Sequence, residues 1–212
     1  AGLDLRYVRE EDNEFVIGAM ATQGDVERFE PLQRFCSGAV VRGVKEILGV
    51  QFRNMATMGG SVASKFGFSD IIPALLAVHA DIVTYKGGRM SMKDYMNYRE
   101  RDILVEIRIP KREVPVAVEA LRISRGDFPY LTGSIRRDDT NYEVYIGTRP
   151  GAPQLAEKAS ALLSEKGLDA LDEAARVASE ELVYQKNSHA SKEYRIEMAK
   201  AMVRRLVKEV AQ

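Results

Sequence analysis

Gln51-Phe52-Arg53-Asn54-Met55-Ala56-Thr57-Met58-Gly59-Gly60-Ser61-Val62-Ala63, followed by Phe68-Ser69-Asp70-Ile71-Ile72-Pro73-Ala74-Leu75-Leu76, is the stretch around which the rest of the chain reads. Hydroxyls, two glycines and a carboxylate crowd between two apolar helical runs, and the apolar pattern gives them no packing role. Glycines let backbone approach a ligand closely and permit positive φ, and hydroxyls donate to phosphate oxygens. Thr57 to Ser61 therefore reads as a loop that admits a phosphate-bearing cofactor. A plain turn between two elements fits the pentapeptide as well. It is neither the dinucleotide fingerprint G-x-G-x-x-G nor a P-loop with its lysine. Asp70 has two readings: ligand of a ribityl or ribose hydroxyl, or cap of the helix whose first turn holds Pro73.

Working outward, residues 1–20 read as an edge hairpin, with a strand over Leu5 to Val8, a charged turn and a buried strand Phe15-Val16-Ile17 ending at Gly18. Thr22 and Asp25 form a capping-box start for a short helix ending before Pro31. A second helix is expected over 31–49, from Leu32, Phe35, Cys36, Val40, Val44, Ile47 and Leu48 at helical spacing, with Gly49 as C-cap. Cys36 on that face is a small core residue. After the apolar helix 70–79 come a strand at 80–85, a hairpin turn at 86–89, a helical turn at 93–98, and an alternating strand at 103–109. Strands at 117–123, 130–136 and 142–148 follow, and from Pro153 the chain turns helical, over 153–165, 168–182 and 191–210. The class is α+β, with a subdomain of strands and helices over 1–80. An antiparallel sheet (81–148) and C-terminal helices (153–210) then make up 81–212, with a boundary near 78–85.

The 212 residues bury a real core: 45% are hydrophobic, and 31 Lys plus Arg balance 31 Asp plus Glu. This neutrality argues against a dedicated nucleic-acid binder. A single cysteine makes no internal disulfide and holds no iron–sulfur cluster, so the chain reads as cytoplasmic. No apolar run approaches the roughly 20 residues that span a bilayer. His79 reads as a helix-end residue and His189 as a surface cap, with no metal spacing between them. The pair Arg136-Arg137 reads as a solvated turn. No catalytic acid, base or nucleophile stands out, which suggests cofactor holding.

The same stretches closely resemble the signature of the FAD-binding medium subunit of molybdenum hydroxylases, the xanthine dehydrogenase and carbon monoxide dehydrogenase family. The family wording is Q-I-R-N-x-x-T-I-G-G-N, then [SG]-D-x-x-P-x-L-x-A, against Gln51 to Ser61 and Ser69 to Ala77 here. Phe15 to Ala19, Asp102 to Pro110 and Ser191 to Leu206 resemble further segments, so the likeness runs almost end to end.

The resemblance implies a flavoprotein oxidoreductase subunit. A small partner carries [2Fe–2S] clusters and a large partner the molybdenum cofactor. Electrons pass through the clusters to FAD and then to NAD or another acceptor, in a dimer of heterotrimers. Thr57, Met58, Gly59, Gly60 and Ser61 are implied to cradle the FAD diphosphate, Asp70 to bond the ribityl or phosphate region, Leu104 to lie against the flavin, and Arg122 to stand by its ring. Ser61 departs from the family Asn and Met58 from its Ile or Val. The resemblance also implies an N-terminal FAD subdomain, supplying the other half of the diphosphate site, that is not matched in these 212 residues, so the FAD site of this chain is expected to be incomplete. Ala1-Gly2-Leu3-Asp4-Leu5 is superficially similar to that subdomain's glycine-rich loop but lies too near Gly18-Ala19 to be it. This leaves an alternative: an assembly module of such a complex that does not bind FAD by itself. A third possibility is an unrelated nucleotide-binding enzyme using the Gly59-Gly60 turn.

Overall fold

The computed structural model describes residues 3–148 and 150–212, so Ala1 and Gly2 of the Ala1–Leu5 resemblance lie outside the described residues. Val8–Glu10 (β1) and Glu14–Gly18 (β2) pair as an antiparallel hairpin. The first strand thus starts where it was expected to end, because the amide of Glu11 closes the turn on the Glu14 carbonyl at 2.8 Å and sets a register of Val8 opposite Ile17. Gln23–Arg28 (α1) follows with the capping box intact: Thr22 Oγ1 accepts from the Asp25 amide at 3.1 Å, and the Asp25 carboxylate accepts from the Thr22 amide at 2.9 Å.

The helix expected over 31–49 is broken. Glu30–Arg34 (α2) and Ala39–Lys45 (α3) are separated by a 3-10 turn, Phe35–Gly38. Cys36, Ser37 and Gly38 have φ of 49°, 59° and 70° there. Three successive left-handed residues redirect the chain at a cost that burial must offset. Cys36 is buried as expected, its Sγ 3.6 Å from the Arg112 carbonyl. Gly49 is not a C-cap. It precedes a further helix, Val50–Arg53 (α4), as its N-cap, in extended conformation.

Met58–Ala63 (α5), Ile71–Ala77 (α6), Asp81–Thr84 (β3), Gly88–Ser91 (β4), Met92–Asn97 (α7) and Leu104–Pro110 (β5) complete the first half. Its sheet has the order β1-β2-β5-β3-β4, antiparallel throughout. Phe15, Ile17, Ile82, Ile107 and Ile109 turn inward onto the helices, the half-buried alternation read from the chain. On the other face Glu14, Asp81, Arg89, Glu106 and Arg108 interlock as an ion-pair ladder.

Val116–Leu121 (β6), Leu131–Asp138 (β7), Asn141–Gly147 (β8) and Gln154–Leu155 (β9) form a second antiparallel sheet. Glu157–Lys166 (α8) and Lys192–Val210 (α10) pack on it, and Leu171–Glu181 (α9) packs on those two helices. The meander expected over 81–148 therefore divides. β3, β4 and β5 pair with β1 and β2, and the break between sheets falls between Pro110 and Val116, not at 78–85. The physical reason is pairing: Ile107 lies opposite both Ile17 and Ile82, so β5 closes the first sheet.

α6 joins the halves. β7 is buried over 131–136, with α6 against one face and α10 against the other. Ser134 Oγ donates to the Pro73 carbonyl at 2.6 Å and Arg136 to the Ala77 carbonyl at 3.3 Å. Arg136 is thus not a solvated turn residue. It is 2% exposed, under the C-terminal end of α6. No helix among the described residues is long and apolar enough to cross a membrane.

Candidate functional site

The segment after β2 and the start of α5 run side by side. Thr22 bridges Thr57, and the Gln23 amide donates to the Ala56 carbonyl at 2.9 Å. The Met58 amide reaches Ala21 O at 2.8 Å and the Gly59 amide Ala19 O at 2.9 Å. Thr57 is the N-cap, its Oγ1 accepting from the Gly60 amide at 3.2 Å, while the Ser61 amide bonds Thr57 O at 3.1 Å. The pentapeptide is therefore a capped helix start with every first-turn amide engaged inside the chain. Neither Gly59 nor Gly60 has positive φ. Their reasons differ. A Cβ on Gly59 would lie 2.7 Å from Ala19 O and 2.8 Å from Ala19 Cβ, so Gly59 permits close packing on the β2 side. Gly60 meets nothing closer than Thr57 Oγ1 at 3.0 Å and opens onto a cavity.

A clamp ahead of this turn holds it. Arg53 is buried and takes both oxygens of Glu27 at 2.8 and 3.1 Å, while its Nη1 donates to the carbonyls of Ile47 and Leu48 at 2.9 and 2.8 Å. Arg28 donates to Asn54 Oδ1 at 3.0 Å. The arginine of the signature thus acts on the backbone of the loop, and the asparagine on the Arg28 side chain.

The cavity, about 430 Å³, lies between the halves, within the range of small-molecule sites. Thr57, Gly60 and Ser61 line it from α5, Asp70 from the start of α6, and Arg122 from the segment after β6. Phe66, Phe68 and Phe128 form an aromatic wall. The first two stack at 4.9 Å between centroids, and Phe128 meets Phe68 edge-on at 5.1 Å. Asp70 stands at the N-cap position of α6, but its side chain makes no capping bond. Ser69 Oγ makes one, accepting from the Ile72 amide at 3.2 Å. Asp70 instead pairs with Arg122, both buried, and Arg122 also donates to the Glu46 carbonyl at 2.6 Å. Burial pushes the Asp70 carboxyl from its ordinary 3.8 to about 6, against the pull of Arg122.

Of the eight candidate residues, the structure gathers Thr57, Gly60, Ser61, Asp70 and Arg122. Met58 and Leu104 are buried in the hydrophobic core, and Gly59 faces Ala19, so none of these three lines the cavity. The residue the sequence reading passed over is Gln23, at the first position of α1. It is 2% exposed and lines the cavity, and its Nε2 donates to Ser61 Oγ at 3.0 Å. One glutamine after a capping threonine carries no pattern that marks it. His79 meets Glu143 at 2.5 Å at the end of α6, and His189 lies in an exposed turn, its amide on Asn187 Oδ1 at 3.0 Å. Among the described residues no three His, Cys, Asp or Glu side chains group to hold a metal ion.

The family described as FAD binding domain in molybdopterin dehydrogenase matches residues 1–112, and that described as CO dehydrogenase flavoprotein C-terminal domain matches residues 117–210. The limits of the two matches coincide with the break between the sheets. The chain is 29% identical over 136 residues to the carbon monoxide dehydrogenase medium chain of Hydrogenophaga pseudoflava, covering 59% of this chain and 47% of that one. It is 27% identical over 139 residues to YgfM of Escherichia coli K12, covering 65% of this chain and 51% of YgfM. The chain spans about half the length of these curated relatives. The structure of carbon monoxide dehydrogenase from H. pseudoflava lacking the Mo-pyranopterin moiety superposes with a TM-score of 0.86 at 25% identity, over 97% of this chain and 78% of that one.

Proposed function

Because the chain belongs to the family of FAD-binding medium subunits of molybdenum hydroxylases, we propose that it holds FAD in the cavity between its two sheets and serves as the electron-transfer subunit of such an enzyme. The observation that carries this reading is the convergence of Thr57, Gly60, Ser61, Asp70 and Arg122 on one cavity from both halves of the chain. The residues fit the group. Thr57 keeps its hydroxyl proton for a phosphate oxygen while its lone pair caps α5. Gly60 leaves room for a close approach, and the phenylalanine wall offers planar apolar surface to a ring. Asp70 and Arg122 present a charge-compensated pair beside it.

Bound FAD supplies an electron carrier. The work of this chain is to bind and orient it and to keep water from the buried side of the cavity. In the proposed complex electrons arrive from [2Fe–2S] clusters on a small partner and leave to NAD or another acceptor. A large partner holds the molybdenum cofactor, in a dimer of heterotrimers placed in the cytoplasm. The chemistry on substrate belongs to the large partner. Within this chain we assign the sheet of β1 to β5 with its helices and the sheet of β6 to β9 with its helices as the two functional regions, divided between Pro110 and Val116, with Met58, Gly59 and Leu104 supporting the flavin site by packing.

A second reading is favoured by one observation: the first-turn amides of α5 are already engaged, which leaves fewer donors for a diphosphate. On that reading the chain is an assembly module that does not hold FAD alone. Titration of the purified chain with FAD, followed by flavin fluorescence, separates the two. Saturable quenching supports the flavin subunit. No binding, together with association with the iron–sulfur and molybdenum partners, supports the module.

A further inference from the structure

Gln23 presents a buried acceptor with nothing to accept from. Its Nε2 is used on Ser61 Oγ at 3.0 Å, but its Oε1 is sealed from solvent and has no hydrogen-bond partner. Leaving a buried carbonyl oxygen unpaired costs on the order of 1–3 kcal/mol. The orientation of the carboxamide follows from Ser61, whose hydroxyl donates to the Thr57 carbonyl at 2.9 Å and so faces Gln23 as an acceptor. Turning the amide over would set two acceptors against each other. The neighbouring donors are also spent, because the amides of Met58, Gly59, Gly60 and Ser61 all bond within the chain. Gln23 lines the cavity beside the Thr57–Ser61 turn, so a ligand seated there brings its donors next to this residue.

We propose that Gln23 is a specificity-determining residue that accepts a hydrogen bond from a sugar hydroxyl of the bound flavin nucleotide. This rests on the flavin reading above. A phosphate oxygen is excluded at that point, since it would face Oε1 as acceptor to acceptor. In FAD the diphosphate is flanked on both sides by hydroxylated five-carbon units, whereas ring N–H groups lie at the far ends. A diphosphate at the Thr57 hydroxyl therefore brings a hydroxyl to Gln23, from either the ribityl chain or the ribose.

The test compares the chain with Gln23→Leu and Gln23→Met. Riboflavin and lumiflavin, which lacks the ribityl chain, are followed by fluorescence, and ADP-ribose by calorimetry. Melting curves check that each variant folds. Gln23→Leu is expected to weaken riboflavin or ADP-ribose about tenfold, one hydrogen bond's worth, and to leave lumiflavin unchanged. Gln23→Met, which keeps the length of the side chain without its carbonyl acceptor, is expected to lose as much as Gln23→Leu. A loss confined to riboflavin assigns the ribityl hydroxyl, and one confined to ADP-ribose assigns the ribose. Equal losses for riboflavin and lumiflavin overturn the proposal, as do unchanged affinities in Gln23→Leu. Affinity retained in Gln23→Met also overturns it, since the carbonyl acceptor would then not be used. If the unsubstituted chain binds neither FAD nor any of these molecules, the flavin reading itself falls. Binding that is indifferent to Gln23 defeats this inference alone.

Discussion

At the scale of single residues, Gly59 and Gly60 are adjacent but answer to different surroundings. Alanine at 59 would press on the backbone of Ala19, which cannot swing aside. Gly59→Ala should cost about 2 kcal/mol in urea denaturation, the usual range for overpacking. Gly60→Ala should cost under about 1 kcal/mol, since its nearest neighbour is a side-chain oxygen at 3.0 Å, and should instead weaken FAD binding. Equal stability losses would contradict this division. Asp70 gives a pH test. Its folded carboxyl is raised from 3.8 to about 6, so the folded state holds that proton more tightly than the unfolded chain. The stability it contributes is full below 3.8 and lost as pH rises through about 6. Asp70→Asn, which stays neutral, should therefore gain roughly 2 kcal/mol relative to the parent between pH 4 and pH 7. A gap that stays flat across that range would mean that Arg122 outweighs burial. Residue types were legible here, but their partners were not. Hydroxyls and glycines marked a candidate site, yet which glycine faced backbone and which faced space depended on Ala19, 40 positions away from Gly59 in the chain.

Among elements, the loop from α3 to α5 is held less by its own propensity than by Arg53. The guanidinium spans both oxygens of Glu27 and two carbonyls, so Arg53→Met would leave all four without it. A loss of about 3 kcal/mol is expected. Arg53→Lys should recover little, because a single ammonium cannot reproduce the planar fork. Full recovery by lysine, measured by chemical denaturation, would refute the clamp. The capping box at Thr22 was legible because all its partners lie within four residues. The break at Cys36 to Gly38 was not. Leu32, Phe35, Cys36, Val40 and Val44 are all buried on both sides of the left-handed turn, so the apolar spacing continues through it and mimics one helix.

For the whole molecule, the α+β class was readable from the order of strand and helix patterns, and the division into sheets was not. Strand periodicity tells which face is buried but not which strand lies alongside, and β5 finds its partner β2 about 90 residues earlier. Polar residues in β7 hid its burial too. Arg136 looks solvent-facing in sequence, but its Nη1 and the Ser134 hydroxyl donate to carbonyls of α6.

That placement of β7 has a consequence for exchange with solvent. With β6 and β8 bonded along its edges and helices over both faces, no small opening of the fold brings deuterium to the amides of 131–136. They should be the slowest in the chain to exchange, released only when everything unfolds. Faster exchange there than in β1 would show that α10 or α6 lifts away on its own. If the slow amides behave as expected, they form an internal clock of global stability. A ligand that binds only the folded chain must slow that clock by the factor one plus its concentration over its Kd.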